Sequence, residues 1–169
     1  MRIYRKALIA LAVASVAMAM LAVAAPARVQ TLVPGKSIRG VSIGAQPGDV
    51  KRALGKPDRD YGYSWNNTKR RKMVFKVEKV EVVFRGSGST ARVVNISTKN
   101  RSERSRGIGV GSTVGELQAG FDNEVCLTSH GFAHCYLGTW ATNRIVTDFS
   151  LSSSKPRRVT TVTLELVGG

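Results

Sequence analysis

Catalytic chemistry has little to draw on in this chain. Among 169 residues there are two histidines, two cysteines and only 11 Asp and Glu against 26 Lys and Arg. The four soft or borderline metal ligands fall together as Cys126, His130, His134 and Cys135, a C-x3-H-x3-H-C arrangement. Four is the right number for a closed tetrahedral zinc site, but the spacing fits no familiar finger. A strand entered at Phe132 would also send His134 and Cys135 to opposite faces. Two cysteines nine apart in an exported chain read more simply as a disulfide, Cys126–Cys135, joining across a hairpin. Oxidation then removes the thiol nucleophile. No serine sits in a G-x-S-x-G elbow. The close carboxylate pair, Asp58 and Asp60, flanks Arg59 in a proline-led turn and reads as a solvated loop. Gly40, Gly44 and Gly48 lack the Lys-Ser/Thr of a phosphate-binding loop. The expectation is a protein that is not an enzyme, with no catalytic residue, no metal and no cofactor.

Long apolar runs are also scarce. The one substantial run, Ala7–Val23, follows the basic MRIYRK and ends in the small residues of Ala22–Ala27. That is the layout of a secretory signal peptide over residues 1–27, with the small-residue end favouring cleavage over retention as an anchor. No cysteine follows the run to accept a lipid. The expected product is secreted, or periplasmic in a Gram-negative host, with no membrane span after cleavage and about 140 residues, enough for one domain with its own core.

Positive charge is plentiful and unevenly placed. Residues 28–106 carry 19 Lys and Arg against 6 Asp and Glu, a net of +13, whereas residues 107–169 carry 4 against 5, a net of −1. A surface of this kind steers toward anionic partners. Outside the cell these include acidic proteins, wall polymers and anionic headgroups, with nucleic acid not expected.

The chain also repeats itself. Gly40–Gly55 (GVSIGAQPGDVKRALG) returns 67 residues later as Gly107–Asp122 (GIGVGSTVGELQAGFD), and a fixed spacing of this kind signals a duplicated unit. A brief strand is expected at Ile38–Ile43, and then a short helix opens at Pro47 and closes at Gly55. In the second copy, Thr113 and Glu116 have capping-box spacing. Period-two alternation follows. Tyr61, Tyr63 and Trp65 share one strand face, Asn66–Lys72 reads as a basic turn, and Met73–Val77, Val80–Phe84 and Arg92–Thr98 read as strands. Lys99–Arg106, without an apolar residue, reads as a solvated connector. Beyond it come strands at Phe132–Leu137, Ile145–Leu151 and Arg158–Leu166. The expected class is α+β, a duplicated unit of short helix plus antiparallel strands with the helices on one face of a mostly antiparallel sheet. Its boundaries are a lead-in over 28–37, repeat one over 38–98, a connector over 99–106 and repeat two over 107–169.

The segments VSIGAQPGDVKRALGKPD and IGVGSTVGELQAGF resemble the glycine-led helix signature of small exported bacterial domains. These include the BamE/SmpA outer-membrane assembly family and the tandem-repeat β-lactamase inhibitory proteins, together with secreted actinobacterial proteins of unassigned function. The resemblance implies a non-enzymatic binding role. The residues expected to carry it are Tyr61, Tyr63 and Trp65 beside the cations Lys69, Arg70, Arg71 and Lys72, a combination suited to an acidic protein surface or another anionic polymer. The alternative is an envelope-associated structural protein adhering to anionic wall polymer or membrane surface. Oligomeric state is left open by the sequence.

Overall fold

A computed structural model describes residues 31–129 and 132–169. The expected signal peptide, the first residues of the lead-in and His130 lie outside the described residues.

The chain opens with β1 (Leu32–Val33), β2 (Ser37–Ile38) and β3 (Val41–Ser42), a small three-stranded sheet. The single strand expected over Ile38–Ile43 is interrupted by Arg39 and Gly40 at φ 50° and 77°, a left-handed pair that folds β3 back on β2. Helix α1 (Pro47–Leu54) starts on its proline, and the Gln46 amide donates to the Asp49 carboxylate at 2.9 Å. Then follow β4 (Arg59–Trp65), β5 (Thr68–Phe75), β6 (Val80–Arg85), a 3-10 turn (Gly88–Thr90) and β7 (Arg92–Thr98). After the two-residue strands β8 (Arg104–Ser105) and β9 (Ile108–Gly109) comes α2 (Val114–Gly120). Its capping box is the expected one, with the Glu116 amide donating to Thr113 Oγ1 at 3.2 Å and the Thr113 amide to Glu116 Oε2 at 2.7 Å. The chain ends with β10 (Glu124–Ser129), β11 (Phe132–Leu137), β12 (Ile145–Leu151) and β13 (Val159–Leu166).

Eight of these strands form one antiparallel sheet in the order β10-β11-β12-β13-β7-β6-β5-β4. Two four-stranded meanders meet where β13 pairs with β7, from Val162 opposite Thr98 to Glu165 opposite Asn95. Each helix is delivered to the sheet by a glycine turn. The Gly44 amide donates to the Val93 carbonyl at 2.8 Å, and the Gly111 amide to the Val159 carbonyl at 2.8 Å. Both glycines have positive φ, 84° and 94°, where a Cβ would be strained.

The expected class is therefore corrected. Among the described residues the protein is mostly β, a large eight-stranded antiparallel sheet with two short helices of eight and seven residues, rather than a duplicated helix-plus-sheet α+β arrangement. The helix signature is conspicuous in sequence because glycines and caps punctuate it, yet it covers few residues. The long strands β5, in part, and β10 lie outside the expected ones. Residues 68–72 form more than half of β5, the turn being only Asn66–Asn67, both left-handed at φ 45° and 58°. β10 lacks the apolar alternation that marks the others. Nor is 99–106 a plain solvated connector, since Glu103 is buried and accepts from Arg39 at 2.9 Å.

One face of the sheet carries the core. Met73, Phe75, Val82, Phe84, Ile96, Phe149, Val162 and Leu164 point toward Val50 and Leu54 of α1 and Leu117 of α2. Cys135 joins them, bonded to Cys126 on the neighbouring strand. Burial on this side leaves the opposite face of the sheet with neither helix upon it.

Candidate functional site: the free face of the sheet

Residues directly opposite in an antiparallel pair share a face, so the register spells out the free side. On β4 and β5 it pairs Tyr61 with Lys72, Tyr63 with Arg70 and Trp65 with Thr68. On β6 it continues with Val83 opposite Lys72 and Arg85 opposite Arg70. Across the centre lie Asn95 and Ser97 of β7, then Thr163 and Glu165 of β13, then Asp148 and Ser150 of β12. At the far end His134 and Tyr136 of β11 face Leu127 and Val125 of β10.

Aromatic side chains gather at the two ends. Tyr61 and Tyr63 stand with ring centroids 6.3 Å apart, and Trp65 beyond them is 61% exposed. At the other end the His134 ring is the hub of Phe132, Tyr136 and Trp140, with centroids at 5.7, 6.0 and 5.8 Å, and Trp140 meets Tyr136 edge-on at 5.2 Å. Phe132 is 57% and Trp140 45% exposed. His134 is held from beneath by buried Asp148, its Nδ1 2.5 Å from Oδ1, and Ser150 Oγ donates to the other carboxylate oxygen at 3.2 Å. The serine thus bonds the carboxylate, not the imidazole. The arrangement fixes the orientation of the imidazole ring.

The cations are only partly where the sequence puts them. Arg70 and Lys72 share the face with Tyr61, Tyr63 and Trp65, but Lys69 and Arg71 alternate to the helix side. There Arg71 forks Asp60 at 2.6 and 2.7 Å, with Lys51 of α1 at 3.3 Å from the same carboxylate. The Arg71 hydrogen bonds hold the Asp60 carboxyl below its ordinary range and raise the Arg71 guanidinium above its own. On the free face Lys72 lies 2.5 Å from Glu81, which holds its ammonium pKa up. Arg70 donates to the Gly169 carbonyl at 2.5 Å, and Arg85 to that of Gly168. Between these cations and the sheet centre runs a shallow groove of about 360 Å³ lined by Tyr63, Trp65, Arg70, Lys72, Asn95 and Glu165. Burial, and secondarily the charge of Asp148, push the Glu165 carboxyl above its ordinary range.

Sequence reasoning found the first aromatic group and missed the second. Phe132, His134 and Tyr136 alternate at period two just as Tyr61, Tyr63 and Trp65 do, so the same signal was present. A histidine at its centre makes that alternation less apolar than the first. Among the described residues no cluster of three or more His, Cys, Asp and Glu is placed to hold a metal, and the zinc reading also needs His130, outside them. No helix among the described residues is long and apolar enough to cross a membrane, which says nothing of strands.

No family model matches the chain, and no curated protein matches it. Among solved structures it is similar to a cysteine-rich secretory protein from Staphylococcus aureus subsp. aureus Mu50, at 13% identity and a TM-score of 0.43. It is similar also to an extracellular protein containing a SCP domain from Bacillus anthracis str. Ames, at 12% identity and a TM-score of 0.43. Each match covers 73% of this chain and 44% of the other, so the chain spans less than half the length of either. Likeness at this level carries no argument about function.

Proposed function

We propose that the protein is an exported, non-enzymatic binding module whose free sheet face recognises a protein partner. One observation carries the reading: the exposed aromatics stand at the two ends of one helix-free face. Eight strands at about 4.8 Å spacing span about 34 Å, and six to eight residues of strand span about 20–26 Å, a patch of roughly 700–850 Å². That is about one partner's share of a standard protein–protein interface. Tryptophan and tyrosine are the residues that most often carry binding energy in such patches. The resemblance to small exported inhibitor and assembly domains supports the same reading, as does the single disulfide.

Net charge shapes the partner. Residues 28–106 carry +13 and steer an acidic surface toward the Tyr61–Trp65 end. The same charge favours the second reading, adhesion to anionic wall polymer or membrane surface. Salt separates the two, because exposed charges are screened within about 10 Å at 0.1 M salt. The test is capture from the producing culture's medium and envelope, at low salt and at about 0.5 M, by the native protein and by a Trp65→Ala/Trp140→Ala double variant. The proposed module retains one protein at high salt and loses it in the double variant. Recovery of mixed polyanions alone, lost at high salt and indifferent to the two tryptophans, contradicts it and favours adhesion.

A further inference from the structure

The sheet has two open edges, and they are unlike. β4 belongs to the half carrying +13, and β10 to the half carrying −1. Cys126 and Cys135 lie 4.0 Å apart at Cα, the close approach of a non-hydrogen-bonded antiparallel pair. The N–H and C=O of Cys126 therefore point away from β11, and by alternation so do those of Glu124 and Thr128. Among the described residues no backbone group bonds to them. β10 contains no proline, glycine or lysine and pairs with β11 without a bulge, so it lacks the devices that usually blunt an edge. Its Val125 and Leu127 are 41% and 49% exposed on the free face.

We propose that two copies of this chain join edge to edge through β10, antiparallel, with Cys126 opposite Cys126 of the second copy. In this register the outward backbone groups of Glu124, Cys126 and Thr128 find one another, and Val125 faces Leu127 of the second copy twice over. On the helix side the edge is complementary to itself. Arg157 Nη1 donates to Thr128 Oγ1 at 2.9 Å, which sets a guanidinium beside the β10 edge. Pairing Thr128 with Glu124 of the second copy brings a carboxylate to that guanidinium, and two-fold symmetry makes the contact twice. The reciprocity selects a second copy over an unrelated extended segment, which would satisfy only one side. Electrostatics selects the edge: β10 brings together two nearly neutral halves, whereas pairing through β4 would oppose two halves of +13. The joined sheet doubles the free face and keeps both basic halves at its outer ends. This inference stands apart from the binding reading, since self-association and capture of a partner are measured separately.

The test is the mass of the disulfide-bonded protein by light scattering or sedimentation equilibrium, from about 1 μM to 500 μM at about 0.1 M salt. The expected result is a rise to twice the chain mass. Glu124→Arg and Arg157→Glu each weaken the dimer by about tenfold or more, and the two together restore it, because a charge pair removed from both sides and rebuilt in reverse is recovered. Should Arg157→Glu fail to fold, Leu127→Glu, which alters an exposed side chain, reads the same loss. A single-chain mass throughout, a dimer indifferent to Glu124→Arg and Leu127→Glu, or single reversals that the double variant does not rescue would each overturn the proposal.

Discussion

Glu165 lies midway across the free face, opposite Asn95 on one side and Val146 on the other. Burial and the neighbouring Asp148 push its carboxyl above the ordinary range, so the fold disfavours its ionised form. A carboxyl raised on folding contributes stability at low pH that is lost as pH rises through the raised value. Glu165→Gln should therefore raise the unfolding midpoint at pH 7, with the gain vanishing below about pH 4, where the glutamate is neutral in both states. Asp60 has the opposite sign, because Arg71 holds its carboxyl down. Asp60→Asn should cost stability at pH 7 and little once the pH falls below the lowered value. Thermal melts across pH check both, and matching trends for the two variants would contradict these assignments. At this scale the aromatics were legible, because Tyr61, Tyr63 and Trp65 alternate with small or polar residues. The cations were not. Four consecutive basic residues, Lys69–Lys72, read as one patch, and only recognition of a strand reveals that alternate members face opposite ways.

Among the elements, those whose borders carry chemistry were read well. Proline opens α1, the Thr113–Glu116 box opens α2, and the strands Arg92–Thr98, Phe132–Leu137 and Ile145–Leu151 end where the sequence expects. The first residues of β5 are charged like a turn, yet pairing with β4 and β6 on either side holds them extended. The real turn is two residues long, and both asparagines are left-handed, the primed geometry that matches strand twist. Glycine adopts that conformation with less strain than asparagine. Asn67→Gly should therefore stabilise the protein by up to about 1 kcal/mol, measured by denaturant titration, whereas destabilisation would mean that the Asn67 side chain carries an essential contact. β10 is held differently. Its sequence EVCLTS gives little strand signal, and the bond from Cys126 to buried Cys135 fixes it to the sheet. In the chain-entropy description closing so short a loop contributes roughly 2–3 kcal/mol.

At the scale of the molecule, fold class went wrong for a physical reason. Local signals mark helix ends, but class depends on which strands find each other across long separations. The pairing of β7 with β13 joins Asn95 to Glu165, and no local pattern announces it. That one junction turns two meanders into a single sheet, with the hydrophobic core on one side and a broad unpartnered face on the other. The chain's only two tryptophans, Trp65 and Trp140, sit at opposite ends of that face and serve as its own reporters. The decisive measurement is acrylamide quenching of their fluorescence while the protein captured at high salt is titrated in, repeated with Trp65→Phe and Trp140→Phe so that each end is read alone. A partner seated across the free face shields both tryptophans at saturation. Saturable binding that leaves both as quenchable as before would place the partner elsewhere and contradict the account.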